Sequence, residues 1–220
     1  MATSKSTPNP DSPLHTSKSH VKRGPNRATY DRQSIHQIID DSLLCHVAQS
    51  IDGQAFVTPT CHWREGDYLY WHGHSKARNV ASKEPVCINI CQLDGLVLAR
   101  SAFHHSINYR SVTLFGTPEM VTDAAEKARH LKLFVDKVCP NRWDALRPIT
   151  DNEVKATGIV RIAITEASCK VRAEPPSDDK NDYAWPVWAG VLPLEKQWGK
   201  PQQDPLQTDD YSLPEAPTLR

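Results

Sequence analysis

The residues best suited to chemistry stand together in the segment YLYWHGHSKARN, residues 68–79. An aromatic, apolar run ends there in two histidines, His72 and His74, followed by a serine and two basic residues. If the run is a β-strand, imidazoles at positions i and i+2 point to the same side, a geometry that suits a metal ion. A protein metal site of this kind needs a third protein ligand, and no other histidine singles itself out. The sequence therefore predicts no metal site.

The serine and the two cations favour a different chemistry, the binding of a phosphate. Serine is a preferred N-cap, and we expect Ser75 to begin a helix over residues 76–82. The first N–H groups of a helix lack internal partners, and Lys76 and Arg78 would add two full charges beside them. This combination predicts an anion site. The alternative is a charged surface helix whose cap serves only stability, and no GxGxxG or P-loop sequence is present.

The composition is that of a soluble globular protein with one sizeable core. The 220 residues include 26 basic and 26 acidic ones, a balance that argues against general nucleic-acid binding. No run approaches the roughly 18 apolar residues of a membrane span. The N-terminus lacks the apolar segment of a secretory signal, although its basic, serine-rich composition leaves a transit peptide open. We therefore expect a cytoplasmic protein that binds neither nucleic acid nor a membrane.

The six cysteines are expected to be reduced thiols, because the chain shows no secretory signal. They stand mostly among Val, Ile and Leu, where cysteine behaves as a small hydrophobic residue. The closest pair, Cys87 and Cys91, lies in a strand-like run in which about 13 Å would separate them. That distance is too long for two ligands of one ion.

Turn signals divide most of the chain into short strand-like runs. Asp52-Gly53 predicts a hairpin between LLCHVAQSI and AFVTPTCHW, and a turn at residues 65–67 leads into YLYWHG. Asp94-Gly95 is predicted to turn the chain between VCINICQL and LVLARSAF. Helices are expected after Asp31, after Asp123 and after Thr150, where the sequence offers N-caps.

Together these elements predict an α+β barrel of five or more antiparallel strands with two or three helices. Most gaps between strands are too short for a parallel crossover. Residues 1–27 are polar and hold four prolines, so we expect a disordered leader. The folded domain is predicted over residues 28–198, and residues 199–220 are predicted to form a flexible tail.

Five ordered motifs resemble the FMN-binding split-barrel family, in the branch of the pyridoxamine 5'-phosphate oxidase-like and nitroimidazole-resistance (Nim)-like flavin-nucleotide-binding proteins. The motifs are V-x-P-T, W-R-x-G-D, H-G-H-S, H-H-S-x-N-Y-R-S-V and W-A-G-V-x-P-L, and the resemblance covers about residues 27–195. It implies a six-stranded antiparallel split β-barrel with flanking helices. It also implies a homodimer that holds FMN in two clefts at the subunit interface.

The resemblance further implies which residues hold FMN. The implied contacts are Ser75, Lys76 and Arg78 on the phosphate, Thr58, Pro59 and Thr60 beside the isoalloxazine ring, His72 and His74 near the ribityl chain or the ring, Arg110 on the phosphate or across the interface, and Trp188 from the second subunit over the cofactor.

Two departures from the family pattern speak against vitamin B6 oxidation. Pyridoxine-phosphate oxidases use an Arg and a Lys on the strand that corresponds to AFVTPTCHW, and this strand has neither. They also carry basic residues near a C-terminal R-L-x-P, where this chain reads GVLPL.

Three functions remain open on the sequence. The first is an FMN-dependent oxidoreductase acting on a small molecule, with NAD(P)H as a possible electron donor and His74 as the candidate proton donor. The flavin would then carry out the electron or hydride transfer. The protein would position the flavin and the substrate and supply the electric field around them. The second is a non-catalytic flavin-binding or storage protein. The third is a split barrel that has changed its ligand to haem or deazaflavin, with His72, His74, His104 or His105 as possible haem ligands.

Overall fold

The computed structural model describes residues 13–209 and 211–218, and this part of the chain forms ten β-strands and four α-helices. The strands are β1 (Ala28–Thr29), β2 (Leu44–Ile51), β3 (Gln54–Glu65), β4 (Tyr68–His74), β5 (Val86–Leu98), β6 (Ser106–Gly116), β7 (Glu119–Val121), β8 (Thr157–Ala163), β9 (Glu166–Arg172) and β10 (Gly190–Pro193). The helices are α1 (Arg32–Asp40), α2 (Arg78–Ala81), α3 (Ala124–Val138) and α4 (Asp151–Ala156). None of these helices is long and apolar enough to span a bilayer.

All strand pairings are antiparallel, in the order β1-β9-β6-β5-β2-β3-β4-β8-β7, with β10 added to β5. Cys169 of β9 and Ile162 of β8 lie far apart in this order and yet share one buried core. The sheet therefore curves around its core, with Ile35 and Ile39 of α1 packed into it. The predicted α+β class is confirmed, and the curvature is consistent with a split barrel.

The strand count of six was wrong for this chain. Three of the ten strands, β1, β7 and β10, are only two to four residues long, and each pairs with a longer strand. Sequence patterning does not reveal such pieces, because a strand this short carries no measurable alternation of apolar and polar residues.

The local signals for the hairpin at Asp52-Gly53 and for the starts of three helices are confirmed. β2 and β3 form the hairpin at Asp52-Gly53, where both turn residues have positive φ. The Asp31 side chain accepts a hydrogen bond from the Ser34 N–H at the start of α1, and Asp123 caps α3 in the same way. Thr150 and Glu153 form a complete capping box at α4.

The turn predicted at Asp94-Gly95 was wrong, because β5 continues through these residues. The register against β6 shifts between Leu93 and Gly95, which marks a bulge and not a chain reversal. A Cβ at Gly95 would lie 2.7 Å from the Leu192 carbonyl oxygen of β10. The glycine therefore permits a close backbone approach within the sheet and does not form a hairpin turn.

The segment before β1 packs against the barrel from residue 13 onwards. Leu14 is buried in the main core, and its carbonyl oxygen accepts a hydrogen bond from the Ala167 N–H. The Tyr30 hydroxyl accepts a hydrogen bond from the Val21 N–H. The domain boundary predicted at residue 28 thus cuts through packed structure, and the rest of the predicted leader, residues 1–12, lies outside the described residues. In the predicted tail, the described residues form neither helix nor strand.

Candidate functional site

The segment after β4 holds the predicted phosphate-binding residues, but its helix begins later than expected. α2 starts at Arg78 with Ala77 as its N-cap, and no side chain caps it. The predicted N-cap role of Ser75 was therefore wrong. The Ser75 N–H instead donates to the Ala156 carbonyl oxygen at the end of α4.

Contact with β8 explains why the chain turns before the helix starts. A Cβ at Gly158 would lie 3.1 Å from the Ser75 Cα and 2.4 Å from Cγ1 of Val80. The segment therefore presses directly on the β8 backbone, and the Ala77 N–H closes a turn on the His74 carbonyl oxygen. This tertiary contact outweighs the local preference of serine for an N-cap.

The two cations of this segment are exposed, and one of them lies against β3. The Arg78 guanidinium lies 3.9 Å above the centre of the Phe56 ring, a cation–π contact. Lys76 is exposed as well. Within the part of the chain that the structure describes, neither cation is paired with a carboxylate, so both charges remain available to an anion.

The half of β3 that carries the predicted ring contacts has an open edge. Residues 54–61 pair with β2, whereas β4 pairs only with residues 62–65, and no described strand pairs with the other edge of residues 54–61. The His62 N–H donates to the Leu43 carbonyl oxygen, and bonding alternates along an antiparallel pair. Backbone groups of residues 57, 59 and 61 therefore face the open edge. Pro59 offers only a carbonyl there, since proline has no N–H.

The structure brings the predicted ring contacts and Arg78 to one place. Phe56, Thr58 and Thr60 alternate with exposed residues along β3, so the three side chains share one face of the strand. Arg78 covers the Phe56 end of that face. Thr58, Thr60 and Arg78 thus lie on one face of β3, Pro59 offers its carbonyl at the open edge of the strand, and Lys76 precedes Arg78 by two residues. We call this surface the groove beside β3.

His72 faces a separate cavity of about 440 Å³ between β4, α3 and α4. Its ring lies 4.2 Å from the Phe134 ring, measured between centroids, and its Nδ1 is buried without a hydrogen-bond partner. Burial lowers the pKa of His72, so the imidazole is held neutral. The walls are mostly apolar and aromatic, with one ion pair. The lining residues are His72, Leu131, Phe134, Val135, Trp143, Leu146, Arg147, Ile149, Glu153 and Thr157.

His74 lies outside this cavity, although it stands only two residues further along β4. Its side chain is exposed, and its Nδ1 accepts a hydrogen bond from the Lys76 N–H at 3.2 Å. The two imidazoles that the sequence placed on one side of a strand therefore occupy different surroundings. His74 helps to shape the cation segment, while His72 lines the cavity.

Arg110 and Trp188 are not part of the groove beside β3. The Arg110 guanidinium binds the Asp94 carboxylate at 2.9 Å and the Gln92 amide oxygen at 2.6 Å, and it reaches Asp41 at 3.4 Å. Its bonds to Asp94 raise the pKa of Arg110. The guanidinium thus takes part in a network of hydrogen bonds and ion pairs within the subunit. Trp188 is exposed and lies over Gly190, where a Cβ would be 2.7 Å from the indole.

Sequence reasoning missed the cavity walls contributed by α3 and by the loop that follows it. Phe134 and Val135 of α3 are only half-buried because they face the cavity. Arg147, at the rim, forms a bidentate pair with Glu153, whose pKa is lowered to about 2 by that guanidinium. The large apolar residues Trp143, Leu146 and Ile149, in a loop between two helices, were the available signal.

Comparison with known proteins agrees with this architecture. A family model described as pyridoxamine 5'-phosphate oxidase matches residues 31–171. The chain is 44% identical to the flavocytochrome Anf3 from Azotobacter vinelandii, covering 91% of this chain and 94% of that one with a TM-score of 0.86. It is 33% identical to an FAD and haem binding protein from Mycobacterium smegmatis, covering 86% and 94%, with a TM-score of 0.81.

A more distant likeness extends only to the fold. A 5-nitroimidazole antibiotic resistance protein from Bacteroides thetaiotaomicron is 22% identical, covers 66% of this chain and 86% of that one, and has a TM-score of 0.55. No curated protein matches the chain. The family model and the two closer structures confirm the resemblance seen in the motifs. The chain therefore belongs to the pyridoxamine 5'-phosphate oxidase family.

Proposed function

We propose that this protein binds both a flavin nucleotide and a haem and works as an oxidoreductase on a small molecule. The observation that carries this proposal is the His72 cavity, which adds a second ligand site to the groove beside β3. Two relatives at 44% and 33% identity are described as a flavocytochrome and as an FAD and haem binding protein. Their descriptions favour the haem alternative over a barrel that binds flavin alone.

The groove beside β3 fits a flavin nucleotide. Lys76 and Arg78 supply unpaired positive charge for a phosphate, and the open edge of β3 supplies backbone groups for the polar rim of an isoalloxazine ring. Both FMN, which the motifs imply, and FAD, which one relative is described as binding, carry such a phosphate. The protein would bind the nucleotide, orient its ring and limit its contact with water.

The His72 cavity fits a haem. An apolar, aromatic space with one neutral imidazole supplies the surroundings and the axial ligand that haem proteins use. The buried Nδ1 has no protein partner, so the side chain is unsatisfied by the protein alone. A bound haem would supply one-electron or O₂ chemistry.

The other candidate haem ligands are less suited. His104 lies 3.7 Å from the Asp179 carboxylate, and His105 Nδ1 lies 2.9 Å from the Ser101 carbonyl oxygen. His104 ends a short 3₁₀ turn before β6, His105 follows that turn, and neither lines the cavity. His72 is therefore the residue that we propose would hold the haem.

The homodimer implied by the motifs remains our proposal, supported by an apolar row across three strands. Leu192 of β10 stands opposite Leu96 of β5, which in turn stands opposite Ile107 of β6. Opposite residues share one face of a sheet, and all three are more than 40% exposed. Such a row is a favourable contact for a second copy of the chain.

Native mass spectrometry of the purified full-length protein tests the cofactors and the dimer together. We expect a dimer of the 24.7 kDa chain that carries flavin and haem, with a flavin band and a Soret band in the visible spectrum. Denaturation should release both compounds, and their masses distinguish FMN from FAD. A folded protein that takes up neither compound when they are added would disprove the proposal.

Removing both groove cations should weaken binding of the phosphorylated flavin selectively. For Lys76→Ala with Arg78→Ala, we expect the dissociation constant for FMN to rise about tenfold or more, since each lost charge-assisted contact at an exposed site is worth about 1 kcal/mol. Riboflavin, which lacks the phosphate, should change much less. Fluorescence titration measures both constants.

The matched control for this experiment is Lys83→Ala, which removes an exposed cation just beyond α2. We expect this variant to bind FMN as the unmodified protein does. Equal losses for FMN and riboflavin in the double variant would show that the two cations do not contact the phosphate.

A further inference from the structure

Trp63 of β3 and His130 of α3 form a buried hydrogen-bonded pair. The indole Nε1–H of Trp63 donates to Nδ1 of His130 at 3.3 Å, and both residues are 2% exposed. An indole can only donate, so this bond places the lone pair of the neutral ring on Nδ1 and the proton on Nε2. The Arg129 Nη2 atom, 3.2 Å from Nε2 and itself only a donor, is then a charge contact and not a hydrogen bond. The Trp63 N–H therefore points at a basic nitrogen, Nδ1 of His130. Packing of the two rings alone does not require this hydrogen bond.

The surroundings keep His130 neutral. Burial lowers the pKa of His130, and the nearby Arg129 guanidinium lowers it further. From β3 and α3, the carboxylates of Glu65 and Glu126 lie 3.9 Å from Nε2 and favour a positive charge, while Arg129 at 3.2 Å and Arg161 of β8 oppose it. Nδ1 of His130 is therefore unprotonated and can accept a proton.

Trp63 also stands in a row of aromatic rings that begins at the cavity. The Trp63 centroid lies 5.9 Å from that of His72, and the Trp63 ring also stacks on Tyr70 at 5.7 Å and 11°. Tyr70 lies 6.2 Å from Tyr68, a half-buried residue. Contacts of this length permit electron transfer from ring to ring.

We infer that Trp63 and His130 form a proton-coupled one-electron redox site that connects the His72 cavity with Tyr70 and Tyr68. One electron leaves the Trp63 indole for a one-electron oxidant, which is reduced by one electron. The Nε1–H bond breaks, its proton passes to Nδ1 of His130, and a neutral indolyl radical remains. An electron from Tyr70, or from an external reductant, restores the indole as the proton returns from His130.

In the cell the oxidant would belong to the class of haems that a peroxide has oxidised, bound in the His72 cavity. The choice of this oxidant rests on the proposed function. The redox pair itself does not depend on haem. An experiment with an added photo-oxidant therefore separates a failure of the pair from a failure of the proposed cofactor.

The test is photo-oxidation of the full-length protein by a flash-oxidised ruthenium polypyridyl complex, followed by transient absorption. Three exposed tryptophans, Trp185, Trp188 and Trp198, are first replaced by Phe so that they do not trap the oxidation. Neutral and cationic indolyl radicals differ in spectrum. We expect a neutral radical, with a yield about tenfold lower in Trp63→Phe.

Trp71→Phe is the matched control, because the Trp71 Nε1–H donates to the Asn79 carbonyl oxygen, which cannot take up a proton. This variant should retain the neutral radical. His130→Gln can still accept the hydrogen bond of Trp63 but cannot accept its proton. There we expect the yield of the neutral radical to fall about tenfold, because the partner of the indole N–H can no longer take up its proton.

A urea-unfolding midpoint verifies that each variant is folded. If folded His130→Gln forms the neutral radical as efficiently as the unmodified protein, His130 is not the acceptor and the inference is overturned. If Trp63→Phe leaves the radical signal unchanged, Trp63 is not oxidised and the inference fails as well. Either result leaves the cofactor proposal standing, because haem is measured separately by its Soret band.

Discussion

Replacing His72 with alanine is expected to remove haem from the protein while leaving the flavin bound. His72 is the imidazole that lines the cavity, and burial holds it in the neutral form that binds iron. Loss of even an outer-shell partner of a metal costs about 10–100-fold in affinity, so loss of the ligand itself should cost at least about 100-fold. Haem content per chain, measured by the Soret band and by the pyridine haemochrome, gives the result.

His74→Ala is the matched control for this prediction. It removes an imidazole from the same strand, two residues away, whose Nδ1 contacts only the Lys76 N–H among the described hydrogen bonds. We expect His74→Ala to keep its haem. Flavin content should be unchanged in His72→Ala, since the groove beside β3 does not include His72. A His72→Ala protein that is folded and binds haem as before would rule out His72 as the ligand.

The second large effect is expected from Trp71→Ala, which should lower the free energy of unfolding by about 3–5 kcal/mol. The Trp71 side chain is fully buried in the main core, and its indole N–H binds the Asn79 carbonyl oxygen of α2. Alanine would leave both a cavity and an unpaired carbonyl. Urea denaturation followed by circular dichroism measures the change.

Trp185→Ala provides the comparison, because Trp185 is 67% exposed. We expect its effect to stay within about 0.5 kcal/mol, as for most surface substitutions. A loss below about 1 kcal/mol in Trp71→Ala would show that the core collapses around the missing indole. Because Trp71 also anchors the helix that carries Arg78, the variant should weaken flavin binding too.

Several elements of this fold follow from local signals in the chain. Asp52-Gly53 forms its hairpin because both residues tolerate the positive φ that the turn demands. The caps at Asp31, Asp123 and Thr150 satisfy backbone N–H groups within three residues, so no distant contact is needed to form them. The motifs identified the family because each is a contiguous stretch of sequence that needs no distant contact to be recognised.

Where the local signals failed, a contact from elsewhere in the chain had the larger effect. Ser75 did not cap a helix because β8 presses on its backbone at Gly158. Asp94-Gly95 did not turn because β10 pairs along β5 and needs the glycine for its approach. Leu14 lies in a polar segment whose composition predicts disorder, yet its side chain is buried in the main core.

By itself, the sequence determined the α+β class, most strands, the starts of α1, α3 and α4, the family, and the pair of cations beside a strand end. The tertiary structure alone decided that His72 and His74 have different surroundings, that Arg110 is occupied by Asp94, and that Trp63 meets His130. The physical reason is distance along the chain. Periodicity and caps depend on neighbours a few residues apart, whereas a cavity or a buried hydrogen bond joins segments tens of residues apart, and only packing selects which of them meet.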